Sequence, residues 1–167
     1  MRSIILLGAL LAQPFAAHAD INVVFQDGAP VDRFTIQASD GCMGTPFDVS
    51  LDLSGSAAGL IFDVTAQGAG VEVYQPLVLV EQSERVLRVS EISDGATEVS
   101  LSLNGVDQGA PVVFTADLDD TLGSRGITVS GQEMAGVTAS VTLDGTSYSA
   151  TFDSSGVARV ALPDCIS

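Results

Sequence analysis

Beyond residue 19, apolar and polar residues alternate in short runs interrupted by Gly and Asp, and helical spacing is nowhere sustained. A side-chain period of two belongs to strands, so the pattern selects an all-β fold. Its clearest unit runs from Val137 to Phe152. Val137, Ala139, Val141 and Leu143 face one way, and an Asp144-Gly145 turn leads into Tyr148, Ala150 and Phe152. A two-residue turn sets Val141 opposite Tyr148 and Val137 opposite Phe152, which gives the hairpin one buried side.

Further strands are expected at Ile21 to Phe25, Arg33 to Ala38, Phe47 to Leu53, Leu60 to Thr65, Val71 to Tyr74, Glu98 to Leu103, Val112 to Leu118, Ile127 to Ser130 and Val157 to Leu162. Turn signals such as Asp27-Gly28, Asp94-Gly95 and Asn104-Gly105 separate them. Ten to eleven short strands at this spacing predict an antiparallel two-sheet sandwich, jelly-roll-like in its connections. Residues Leu77 to Ile92 read two ways, with Glu81 to Arg85 as one helical turn or as a charged loop between strands.

Residues 1–19 read as a secretory signal peptide: Arg2, an apolar stretch from Ile4 to Ala12, and a small-x-small site at Ala17-His18-Ala19. The apolar stretch is shorter than the roughly 20 residues that span a bilayer, and no later segment approaches that length without charge. No membrane insertion is expected. The remaining residues, 20–167, are expected to form a single β-sandwich domain, exported to the periplasm, the cell surface or the extracellular medium.

Past the signal the chain has no His, Lys or Trp, and its 21 acidic residues face five arginines. Imidazole-based catalysis, zinc ligation and a Lys-activated nucleophile are therefore excluded. A net charge near −16 also argues against nucleic-acid and anionic-membrane partners. Cys42 and Cys165 fit one disulfide in an oxidising compartment. Closing a loop that long contributes at most about 4 to 5 kcal/mol in the chain-entropy treatment.

The densest chemistry lies in Val112-Val113-Phe114-Thr115-Ala116-Asp117-Leu118-Asp119-Asp120-Thr121. Asp-x-Asp-x-Thr opens the haloacid-dehalogenase-like phosphatases, but those enzymes also need a basic phosphate ligand and helices around a parallel sheet, so the reading fails here. If the segment is a strand, Phe114, Ala116 and Leu118 face the core, and Thr115, Asp117 and Asp119 share the outer face. Same-face residues lie about 6.8 Å apart, where two carboxylates repel by about 2.4 kcal/mol at an effective dielectric of 20. Asp117, Asp119 and Asp120 are thus candidate ligands for Ca²⁺, with Glu133 or Asp94 as further oxygen donors. The other reading is a solvated strand end with Arg125 returning to pair with Asp117 or Asp119. Paired carboxylates also serve glycoside hydrolysis, yet only Tyr74 and Tyr148 offer rings for sugar stacking.

Two stretches, Leu51 to Thr65 continuing through Gly68 to Pro76, and Phe114 through Val137, together with the ending Ala161-Leu162-Pro163-Asp164-Cys165, resemble small exported bacterial proteins described as similar to the core protein of sponge aggregation factors. The resemblance implies surface adhesion assisted by calcium. It implies no catalytic residues. Neither Asn22 nor Asn104 begins an N-glycosylation acceptor, so adhesion would be protein-mediated. The expectation is a non-enzymatic binding or adhesion module that engages a protein partner or itself. The alternative is a carbohydrate-active protein with a glycan ligand, either a sugar-binding module or a small acid-based hydrolase.

Overall fold

The computed structural model describes residues 20–39, 44–71, 73–122 and 128–162. The signal segment, the Cys42 to Cys165 bridge and the ion pair expected from Arg125 lie outside the described residues. Alternation becomes strand wherever one face can be buried. In β2 (Asp32–Ala38), Asp32, Phe34, Ile36 and Ala38 are buried while Arg33, Thr35 and Gln37 between them are half-exposed. β1 (Asp20–Gln26), β3 (Phe47–Asp52), β7 (Glu98–Leu103), β10 (Thr138–Leu143) and β12 (Val157–Ala161) alternate likewise. The remaining strands are β4 (Leu60–Phe62), β5 (Val78–Glu81), β6 (Val86–Val89), β8 (Val112–Ala116), β9 (Leu118–Asp120) and β11 (Thr146–Thr151).

Two five-stranded antiparallel sheets result, ordered β12-β1-β2-β8-β5 and β11-β10-β3-β7-β6, with β4 and β9 forming a small separate ladder. The chain crosses repeatedly from one sheet to the other, as in a jelly roll. Their inner faces share one continuous apolar cluster. At its centre Phe25, Phe34 and Phe114 lie side by side across β1, β2 and β8. Phe34 stacks on Phe114 with ring centres 4.9 Å apart and meets Phe25 edge-on at 5.4 Å. Such aromatic pairs each add about 0.5–1.5 kcal/mol beyond the area they bury.

The hairpin of β10 and β11 has the expected register. Val141 pairs with Tyr148, and the Phe152 N–H donates to the Val137 carbonyl at 2.8 Å. Asp144 and Gly145 both have positive φ, 48° and 77°, the geometry of a type I′ turn whose twist matches the strands. Tyr148 and Ala150 are only partly buried, because β11 is an edge strand.

Elsewhere the structure revises the expectation. Twelve strands are present among the described residues. Both readings of Leu77 to Ile92 apply at once: β5 and β6 flank a 3₁₀ turn at Ser83–Arg85, entered through Gln82 at φ 52°. Val71, Val73 and Tyr74 are not in a strand, nor are residues 128–130. The predicted strand Val112 to Leu118 breaks at Asp117, since β2 ends at Asp32 opposite Ala116 and the chain then turns to pair with β4. No helix of the described residues is long and apolar enough to cross a membrane.

Candidate functional site

The break at Asp117 builds the site. Up to Ala116 the strand belongs to the first sheet. From Leu118 to Asp120 it pairs with β4, Leu118 opposite Phe62 and Asp120 opposite Leu60, and the Asp63 N–H donates to the Asp117 carbonyl at 3.0 Å. Burial keeps its alternation across the break, so Ala116 and Leu118 face inward and Asp117 and Asp119 stay half-exposed. Asp117, Asp119 and Asp120, the residues nominated from sequence, line one cleft of about 790 Å³. Apolar side chains share its walls: Ala29 and Pro30 from the β1–β2 loop, Ile61 from β4, Val71 and Val73 from the loop after it, and Val129. Val73 is 71% exposed, so the rim presents apolar surface to solvent.

Behind the cleft stand Asp94 and two aspartates not singled out in the sequence, Asp63 and Asp32. Asp63 is fully buried. Its Oδ2 accepts from the Val71 N–H at 2.9 Å, and the same N–H lies 3.1 Å from Asp119 Oδ2. Among the described residues no donor reaches the buried Asp63 Oδ1. Beside it, Asp94 accepts from the N–H groups of Val64 (3.1 Å) and Gly70 (2.9 Å). Gly70 lies so close that a Cβ there would sit 2.2 Å from Asp63 Oδ1. Asp32, the other buried carboxylate, accepts from the Gly28 N–H at 3.3 Å and lies on the Asp117 side.

The aspartates thus form a connected row: Asp32, Asp117, Asp119, Asp63, Asp94. Burial, then the contact with Asp94 and repulsion from Asp119, pushes Asp63 up to about 7. Asp94 behaves oppositely. Partial burial would raise it, but hydrogen bonds from Gly70, Asp63, Thr65 and Val64 outweigh that and hold it below the usual range. The contact between the two carboxyl groups raises Asp63 and lowers Asp94, the pattern of a proton held on Asp63 and donated toward Asp94. Asp32 is raised to about 7, chiefly by burial and further by Asp117; Asp117 is raised to about 6, by burial and by Asp119.

Among the described residues the ion pairs are Arg33 with Glu81 and Arg85 with Asp107, neither in the cleft. Nor is any group of three or more His, Cys, Asp or Glu side chains placed to hold a metal ion. Glu133, the proposed extra ligand, is engaged locally by the Ser130 N–H (2.6 Å) and hydroxyl (2.8 Å). Asp94 contacts Asp63, which in turn is repelled by Asp119. Tyr74 and Tyr148 are not among the cleft residues. Among the described residues the cleft therefore combines hydrogen-bond acceptors with apolar side chains, and no arginine lines it. Its chemistry is that of an acceptor site, without three carboxylates of the described residues gathered around one point.

No protein-family model matches this chain, and no curated protein matches it in sequence.

Proposed function

We propose that this chain is an exported, non-enzymatic binding and adhesion module, with the cleft at the β8–β9 break as its ligand site. The observation that carries the reading is that Asp117, Asp119 and Asp120 line one cleft together with apolar side chains. Acceptors in that number bind groups that bring positive charge or donors. The absence of His and Lys beyond residue 19 leaves no nitrogen base to activate a nucleophile there.

Calcium is the cation of choice for such a site, since it takes six to eight oxygens in flexible geometry. With two or three carboxylates from one chain, water, carbonyls or oxygens of a second molecule would complete its shell, which is how a cation can join two acidic surfaces. The test is calorimetric titration of the chelator-stripped chain with Ca²⁺, alongside sedimentation in Ca²⁺ and in chelator. Millimolar or tighter binding that is lost in Asp119→Asn supports the reading. No heat and no change in sedimentation would remove calcium from it.

A second reading, a carbohydrate-active protein, is favoured by one pair. Asp117, held partly protonated near pH 6, lines the same cleft as Asp119. An acid beside a carboxylate is the pairing used on glycosidic bonds. A glycan array separates the two: sugar binding by a chain that does not self-associate favours this second reading.

A further inference from the structure

The chain has two asparagines, and the fold treats them differently. Asn22 sits within β1, paired to β12 on one side and β2 on the other, and its side-chain oxygen accepts from Arg159 Nε at 3.2 Å. Asn104 follows the last residue of β7 and precedes Gly105, which has φ 77°. It is exposed, and among the described residues its side chain has no hydrogen-bond partner. Gly105 is buried, yet its N–H meets no acceptor among the described residues. The turn also wraps Arg85. The Asn104 N–H donates to the Arg85 carbonyl at 2.7 Å, Arg85 Nη1 donates to the Asn104 carbonyl at 3.3 Å, and Nη2 pairs with Asp107.

We propose that Asn104-Gly105 is a site of spontaneous deamidation and that Arg85 directs its outcome to isoaspartate. Hydroxide takes the Gly105 N–H proton, and that nitrogen attacks Cγ of Asn104. The bond from Cγ to its NH₂ group breaks, and the group leaves as ammonia after taking a proton from water. In the cyclic imide that results, the nitrogen is bonded both to Cγ and to the main-chain carbonyl carbon of residue 104. One water then adds to either carbon and breaks its bond to nitrogen. Opening at Cγ gives aspartate. Opening at the main-chain carbon gives isoaspartate, with the chain now running through the former side chain. Glycine at 105 favours the first step, since no Cβ crowds the attacking nitrogen.

The guanidinium acts at both steps because it binds the oxygen on which charge develops. Loss of the Gly105 proton places negative charge on the Asn104 carbonyl oxygen, and a charge-assisted hydrogen bond stabilises it. Attack of water on the main-chain carbon puts an oxyanion on that same oxygen. The new carboxylate then forms beside Arg85, whereas opening at Cγ develops its charge elsewhere. The product adds one negative charge to a guanidinium already paired with Asp107, and one main-chain carbon at the exit of β7.

The test is peptide mapping by mass spectrometry of the whole chain incubated at mildly alkaline pH, folded and in guanidinium chloride, with isoaspartate counted by isoaspartate-specific enzymatic methylation. Asn104 converts in the folded chain while Asn22 stays intact, and the ratio of isoaspartate to aspartate is at least about threefold higher in the folded chain than in the unfolded one. Folded Arg85→Gln brings that ratio down to the unfolded value. Should the variant not fold, the wild-type comparison of folded with unfolded chain decides by itself. A folded chain whose Asn104 stays intact while the unfolded chain converts means that burial of Gly105 shields its N–H, and overturns the site. Conversion of Asn22 at an equal rate also overturns it. An equal ratio in folded and unfolded chain, or one unchanged in folded Arg85→Gln, overturns the role of Arg85.

Discussion

Asp63 and Asp119 share one donor: the Val71 N–H lies 2.9 Å from Asp63 Oδ2 and 3.1 Å from Asp119 Oδ2. Two carboxylates on one N–H repel each other, and burial, the contact with Asp94 and this repulsion raise Asp63 to about 7. Where burial and neighbouring carboxylates favour a proton near neutral pH, any cation of suitable size competes with it. The behaviour of the cleft is therefore tied to pH.

The first expected outcome is a loss of stability as pH rises. Asp32, Asp63 and Asp117 have folded-state values raised to about 7, 7 and 6. Between about pH 4 and 7 the folded chain thus holds protons that the unfolded chain has released, and stability falls as pH rises through that window. Asp94 and Asp153 act in the other direction, since their lowered values contribute stability that is lost as pH falls below the ordinary carboxylate range. The melting temperature should peak near pH 4 to 5 and be lower at pH 8 by at least about 3 °C. Calorimetry at fixed high salt, which screens the general surface repulsion, checks this. A flat or rising profile contradicts the assignment of the protons.

Asp63→Asn separates the central pair from the rest. The amide cannot ionise, and its NH₂ can donate to Asp94 in place of the shared proton. Stability at pH 8 should rise by about 1 kcal/mol, with little change at pH 5, so the pH slope becomes shallower. Equal destabilisation at both pH values would mean that Asp63 holds the loop by shape alone.

Gly70→Ala tests how closely the loop is fitted to that carboxylate. A Cβ at residue 70 would sit 2.2 Å from Asp63 Oδ1, and the carboxylate is fully buried with no room to withdraw. Overpacking of this kind costs about 1–3 kcal/mol. Gly44, with nothing within 4 Å of an added Cβ, serves as the control, and its Ala variant should stay within about 0.5 kcal/mol of the parent. Urea unfolding of both variants gives the comparison.

Much of this arrangement was legible in the residues. The period of two located most strands and fixed the Val137 to Phe152 register, because a slip by one residue would turn the apolar face outward. The same parity marks both overlooked aspartates. Asp32 lies two residues before Phe34 on the buried side of β2, just outside the strand expected from Arg33. Asp63 interrupts Leu60-Ile61-Phe62-Asp63-Val64, a run too apolar to have an exposed face, and all five residues are buried. What the pattern does not carry is strand order. The cleft joins the loop after β1, the loop after β4 and the β8–β9 break, and their meeting depends on β2 lying beside β8 and β4 beside β9. Periodicity reports faces and is silent about neighbours. The break at Asp117 escaped for the same reason, since the residue sequence alternates smoothly through it while its pairing partner changes.

Proton and cation should compete for the row of aspartates, and this gives the last prediction. At pH 5 the protons on Asp63, Asp32 and a large share of Asp117 already supply the missing positive charge, so added Ca²⁺ has little to offset. At pH 8 those protons are largely gone, and the repulsion of Asp117, Asp119 and Asp63 remains to be relieved. Calcium should therefore raise the melting temperature more at pH 8 than at pH 5. At 100 times its dissociation constant a ligand stabilises by about 2.7 kcal/mol, which for a chain of this length is a shift of roughly 5–10 °C. Binding at pH 8 should liberate few protons, whereas binding near pH 6 should liberate about one, measurable as a buffer-dependent heat in titration calorimetry. Asp63→Asn should reduce that proton release, leaving the share from Asp117 and Asp32, while Asp119→Asn weakens binding itself. If calcium shifts the melting temperature equally at both pH values, the ion binds away from the row and the cleft is not its site.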